Sequence, residues 1–152
     1  FNFIYFSLKF WFYILNFIQT AFEYEYDDKV WGGDRAFFAE ESAYYPYCDC
    51  EDRSILFSRI VRDLLDLDVV LIYYPGHLAT AVEFHTLVNG DYINLNDRKF
   101  TICDPTYIGA PVGITMPDMN NNEAMVILLK RWDYFFIRKV HQRWVMPNLF
   151  LL

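Results

Sequence analysis

Apolar residues recur along this chain with two different periods, and the change of period marks its organisation. From Ser54 to Leu67 they fall at Ile55, Leu56, Ile60, Val61, Leu64 and Leu65, with Ser58, Arg59, Arg62 and Asp63 between them. That spacing predicts a helix with one apolar face. Asp49 and Asp52 are cap candidates, and Glu51 and Asp52 add acid to a first turn, so the helix should begin near Cys50. After Asp68 the pattern shortens. Val69-Val70-Leu71-Ile72-Tyr73-Tyr74 reads as a buried strand. Pro75-Gly76 breaks it, and Leu78 to Phe84 forms a second strand introduced by His77. Tyr92-Ile93-Asn94-Leu95 leads through Asn96-Asp97 to Lys99–Cys103, a predicted hairpin. Asp104-Pro105 ends it, since proline cannot continue a central strand. The outline is α+β, a helix packed on an antiparallel β-sheet.

The flanks are less regular. Phe1 to Ile18 is almost wholly apolar, broken by Asn2, Ser7, Lys9 and Asn16. Its length approaches a membrane span, but Lys9 at the centre is costly in lipid. No basic leader region or small-residue cleavage site is visible. The segment is therefore expected to be a core-packing helix over 1–24, running into Ala21-Phe22-Glu23-Tyr24. Asp27 to Tyr47 is loop-rich, with a turn at Trp31-Gly32-Gly33-Asp34 and a short helix around Phe37–Glu41. Pro105 to Asn122 reads as a long loop. Residues 123–152 are expected to form a basic aromatic tail helix, with Lys130, Arg131, Arg138, Lys139 and Arg143 interleaved with Trp132, Tyr134, Phe135, Phe136 and Trp144.

Composition sets outer limits. At 152 residues the chain is read as one domain, with its core over about 16–116. It lacks an initial methionine, and is expected to be a fragment of a longer protein. The formal charge of −7 argues against a nucleic-acid partner. The charge is uneven: from Met125 to Leu152 there are five basic residues and one acid, +4, against −11 for the rest. A basic tail of that kind suits a membrane surface or a neighbouring domain, or docks on the acidic core.

The chemistry resides in three residues spaced 27 apart: Cys50, His77 and Asp104. Each sits at the edge of a predicted element. They are the inventory of a thiol nucleophile, its base and the carboxylate that orients the base. Singly, a cysteine is more often core, a histidine after Pro-Gly a turn residue, and an aspartate before proline a turn former. Together and in order they carry more.

Cys50-Glu51-Asp52 before an amphipathic helix, Gly76-His77-Leu78-Ala79 before a strand and Asp104-Pro105-Thr106-Tyr107 after one resemble the transglutaminase-like superfamily. The nearest branch is the bacterial transglutaminase-like cysteine proteinases and related uncharacterised bacterial proteins. The resemblance implies a papain-like, transglutaminase-like core with the nucleophile helix on the sheet. It implies Cys50 as nucleophile, His77 as base, Asp104 as orienting carboxylate, and a thioester passed to water (peptidase or amidase) or to an amine (transglutaminase). The substrate would be a peptide or protein, with no cofactor required, and the location secreted or periplasmic. Leu78-Ala79 departs from the small-then-aromatic pair usual after the histidine, and 152 residues leave no room for the β-domains of animal enzymes. The oxyanion would meet the Cys50 backbone N–H and an upstream side chain, for which Gln19 is the candidate; as an alternative, Gln19 is an ordinary polar position on a helix.

Metals and other classes stay open. Cys48, Cys50, Cys103 and His77 offer four zinc ligands, though Cys48-Asp49-Cys50 lacks a knuckle's spacing. A Cys48–Cys103 disulfide is the other use of the odd cysteine count. Calcium is the better match: the resemblance maps it to Asp49 and Glu51, and hard carboxylates suit it, against a plain reading as helix cap and acidic turn. A catalytically silent binding domain of the same fold is the non-enzymatic alternative.

Overall fold

Two helices cover one face of a curled antiparallel sheet, and the candidate residues gather at the rim where helix and strands meet. The computed structural model describes the backbone of residues 2–120, 123–129, 138–142, 144–145 and 148–149, and side chains within 10–120 and 123–129. Helix α1 spans Asn2–Ala21 and β1 spans Glu23–Tyr24. Two short helices, α2 (Asp27–Trp31) and α3 (Ala39–Tyr44), lead to β2 (Tyr47–Cys48) and the central helix α4 (Cys50–Leu65). Strands β3 (Val69–Tyr74), β4 (His77–Val82), β5 (Tyr92–Leu95) and β6 (Arg98–Cys103) follow. A 3₁₀ turn at Pro117–Met119 precedes β7 (Ala124–Leu128), β8 (Arg138–Gln142), β9 (Trp144–Val145) and β10 (Asn148–Leu149). The main sheet has six strands in the order β5-β6-β4-β3-β7-β8, each pair antiparallel.

The α+β outline holds, and the reasons are local. The Asp49 carboxylate accepts from the Glu51 and Asp52 N–H groups, and α4 starts there. Asp66 ends it in the left-handed conformation, φ 56°. Gly76, φ 79°, supplies the positive angle that the Tyr74–His77 turn requires. Asn96 and Asp97, φ 50° and 62°, close the β5–β6 hairpin with the paired positive angles of a primed turn.

Burial explains why β3 and β4 lack alternation. Val69, Val82 and Cys103 pack under Trp11, Ile14, Leu15 and Ile18 of α1 and Leu56, Phe57 and Val61 of α4. The opposite face collects Val70, Ile72, Ala79, Ala81, Ile93, Phe100, Ile102 and Val126 into a second core. A strand buried on both faces reads as a continuous apolar run. Each large aliphatic side chain buried there contributes about 1.5–3 kcal/mol.

Three expectations need correction. The N-terminal helix stops at Ala21 rather than 24, where Arg53 reaches across and binds the Gln19 carbonyl of its last turn and the Phe22 carbonyl just beyond it, at 3.2 and 2.7 Å. Glu23–Tyr24 instead lies parallel to β2. The short helix near Phe37–Glu41 is α3, displaced to Ala39–Tyr44. The tail does not begin as a helix: Ala124–Leu128 pairs with β3 and is then bordered by β8. A free edge of apolar, β-branched strand outweighs helical preference there. The basic and aromatic residues 130–137 and the Arg138, Lys139, Arg143 and Trp144 side chains lie outside the described residues. Among the described residues no helix is long and apolar enough to cross a membrane.

Candidate active site

Cys50 is the first residue of α4, buried between the helix start and the sheet. In that position its backbone N–H has no intrahelical acceptor. Ser54, one turn on, donates its hydroxyl to the Leu78 carbonyl at 2.8 Å and pins α4 to the strand that carries His77. His77 opens β4 directly after the Pro75-Gly76 turn, and Asp104 follows the last residue of β6. Thr80 bridges these two strands by donating to the Cys103 carbonyl.

These placements bring the three residues into one chain of contacts. The His77 Nε2 lies 2.8 Å from the Asp104 Oδ2, both side chains being buried. Cys50 is close enough to the imidazole to influence it. Asp104 is itself held: its Oδ1 accepts from the Thr106 and Tyr107 N–H groups at 2.9 and 3.2 Å. The Tyr74 ring stacks on the imidazole, 6.4 Å between centroids. Burial acts to lower the His77 pKa, but hydrogen bonds to Asp104 and Cys50 and their charges prevail, and it rises from 6.5 to about 9. The Asp104 carboxylate thus favours the protonated imidazole.

Gln19 is close by but committed elsewhere. Its Nε2 donates to the Asp104 and Ala110 carbonyls at 2.9 and 3.1 Å, and its Oε1 accepts from the Gly109 N–H at 3.3 Å. Both amide hydrogens are used, so Gln19 braces the Asp104 loop and has none left for an oxyanion.

On the far side of Cys50 lie acids. Oxygens of Asp27, Asp34 and Glu51 fall within 4.8 Å of one another, and Asp49, Cys50 and Glu51 form a second such group. Burial and the charges of Asp49, Asp34, Asp52 and Asp27 lift Glu51 from 4.5 to about 7. Asp52 rises from 3.8 to about 6, chiefly by burial. Its Oδ1 accepts the Phe37 N–H at 2.8 Å, whereas its buried Oδ2 has no hydrogen-bond partner. The oxygen donors and mutual repulsion of Asp27, Asp34 and Glu51 suit a hard divalent cation; Asp52 belongs to neither group. Of the expected ligands, Asp49 serves mainly as the cap of α4, while Glu51 joins Asp27 and Asp34.

The zinc set does not assemble. Neither group of ligand atoms, among the described residues, includes Cys48, Cys103 or His77. The Cys48 Sγ accepts from Arg53 Nε at 3.4 Å, and Cys103 donates to the Thr101 carbonyl. All three cysteines are free thiols, so the Cys48–Cys103 disulfide is not formed. Burial pushes the Cys48 and Cys103 thiols up, which keeps them as inert core residues.

Sequence reasoning missed Tyr24, which lies close enough to Cys50 to interact with it. It also missed Asp27 and Asp34. The only trace of the latter pair was acid on either side of the Trp31-Gly32-Gly33 turn. No family model, curated protein or solved structure matches this chain.

Proposed function

We propose that this chain is a papain-like domain similar to the transglutaminase-like superfamily, and that it acts as a cysteine peptidase or amidase on peptides or proteins. The observation that carries the reading is the His77–Asp104 hydrogen bond beside Cys50 at a helix N-terminus. Sulfur nucleophile, imidazole and orienting carboxylate in that order suit acyl transfer. The Cys50 sulfur would attack an amide carbonyl carbon, and the π electrons would move to the oxygen. The Cys50 backbone N–H at the start of α4 would stabilise that oxyanion. The His77 proton would pass to the leaving amine as the C–N bond breaks, giving a thioester. Water would then lose a proton to His77, attack the thioester and release acid and thiol; an amine in place of water gives the transglutaminase alternative. Asp104 fixes the ring and stabilises its charged form.

A cation belongs to the same proposal. Asp27, Asp34 and Glu51, with Asp49 behind them, would hold calcium beside the nucleophile helix. Calcium would cancel the acids' repulsion without entering the acyl transfer.

The test is the pH dependence of iodoacetamide labelling of Cys50, with Cys48 and Cys103 protected by burial. Wild type should label rapidly at pH 6, and His77→Ala should reduce that rate by about a hundredfold or more. Equal, ordinary thiol behaviour in both proteins would replace this reading with a silent binding domain.

A further inference from the structure

The acyl-transfer reading leaves a gap: the committed Gln19 amide supplies no second donor for the oxyanion. Tyr24 occupies the right place. Strand β1 runs parallel to β2 with Tyr24 opposite Cys48, two residues before the nucleophile. From there Tyr24 is close enough to Cys50 for the two to interact, and the residue stays 37% exposed.

The position is built rather than incidental. Arg53 is only 1% exposed, and its guanidinium carbon lies 5.5 Å from the Tyr24 ring centroid. The same guanidinium binds the Gln19 and Phe22 carbonyls and the Cys48 sulfur, so it ties the end of α1, the entry to β1 and the end of β2 together. A cation over the ring withdraws charge from the phenol and makes its O–H a better donor. Burial and the neighbouring Cys50, Tyr26 and Asp49 push the Tyr24 pKa upward, which keeps that hydrogen in place.

We propose that Tyr24 is the second oxyanion donor of this site, with Arg53 as its positioning residue. This rests on the acyl-transfer reading of Cys50 and His77. At rest the phenol lies near Cys50. The oxyanion forms on the carbon newly bonded to the Cys50 sulfur, so a small rotation carries the phenol O–H onto it. No proton leaves the phenol: the S–C bond forms, the carbonyl π pair becomes the oxyanion, and the amine departs with the His77 proton.

Two reagents separate this role from simple thiol activation. Iodoacetamide reacts by displacement at a saturated carbon and makes no oxyanion. p-Nitrophenyl acetate acylates the same sulfur through a tetrahedral oxyanion. In the full chain, Tyr24→Phe should lower the acylation rate by about tenfold or more while alkylation changes by less than about threefold, in the direction expected for an oxyanion donor. The ratio of the two rates in one preparation is independent of the fraction folded. An unchanged ratio would overturn the assignment, leaving Tyr24 as a structural residue. Faster reaction with both reagents would overturn it too, making the phenol a cap on the thiol. His77→Ala reports separately: wild-type rates in that variant would sink the acyl-transfer reading itself, whatever Tyr24 does.

Discussion

The two flanks of Cys50 are built from the same residue types and reach opposite electrostatic solutions. On the strand side, one carboxylate meets one imidazole, and backbone N–H groups fill the remaining carboxylate oxygen. On the loop side, Asp27, Asp34 and Glu51 face one another with Asp49 beside Glu51, and the causes that lift Glu51 are burial and like charge alone. The first flank is complete in itself and needs only the thiol. The second is incomplete without a proton or a cation. Electrostatic demand, rather than the mere presence of acids, separates the two flanks.

The largest expected break in this contrast is Asp104→Asn. It keeps the shape but removes the charge that holds the His77 imidazolium, so acylation of Cys50 at pH 7 should fall by about a hundredfold or more. Stopped-flow measurement with p-nitrophenyl acetate would read it, and a loss below threefold would mean that the carboxylate is ornamental.

On the acidic flank, calcium at a hundred times its dissociation constant should add about 2.7 kcal/mol at pH 8. That corresponds to a rise in Tm of about 5–10 °C. Glu51→Gln should abolish the calcium-dependent part. Scanning calorimetry with calcium and with a chelator decides it; identical traces would remove the cation from the proposal.

The pH dependence without metal sharpens the contrast further. Glu51 and Asp52 have folded-state pKa values raised from 4.5 and 3.8 to about 7 and about 6. Their protonated forms favour the fold, so the stability they contribute is full below about pH 4 and is lost as pH rises through 6 and 7. His77, raised to about 9, contributes stability that is full below about 6.5 and lost as pH passes 9. Chelator-treated protein should therefore show two falls in Tm on going alkaline. Glu51→Gln should shrink the first alone, and His77→Ala should remove the second.

The smallest effect concerns the brace. Gln19→Leu leaves the buried Asp104 and Ala110 carbonyls without their donors and should cost about 1–3 kcal/mol of stability. The acylation-to-alkylation ratio should stay near wild type. A selective loss of acylation would return Gln19 to the oxyanion role.

What could be read from the sequence was whatever repeats or punctuates. The apolar spacing of α4, the run Val69–Tyr74 and the Pro75-Gly76 and Asn96-Asp97 turns are local signals, and the elements they announce are present within a few residues. From those ends alone Cys50, His77 and Asp104 could be named. Strand β1 is two residues long and owes its existence to β2 and Arg53, so no local pattern announces Tyr24. Asp27 and Asp34 approach Glu51 only because α2 and the loop after it fold back on α4. The segment Ala124–Leu128 is apolar enough for either helix or strand, and its partner lies more than fifty residues earlier in β3.

The spacing of Cys50, His77 and Asp104 also sets a timetable. Cys50 enters the chain 54 residues before Asp104, and His77 falls midway between them. During synthesis the nucleophile helix can form early, but its imidazole has no carboxylate until β6 has emerged and the Gln19 side chain has closed on the loop beyond it. A nascent chain would therefore carry Cys50 without its partners for the 54 residues that separate it from Asp104, and the three would meet only with completion of the strands that shelter them.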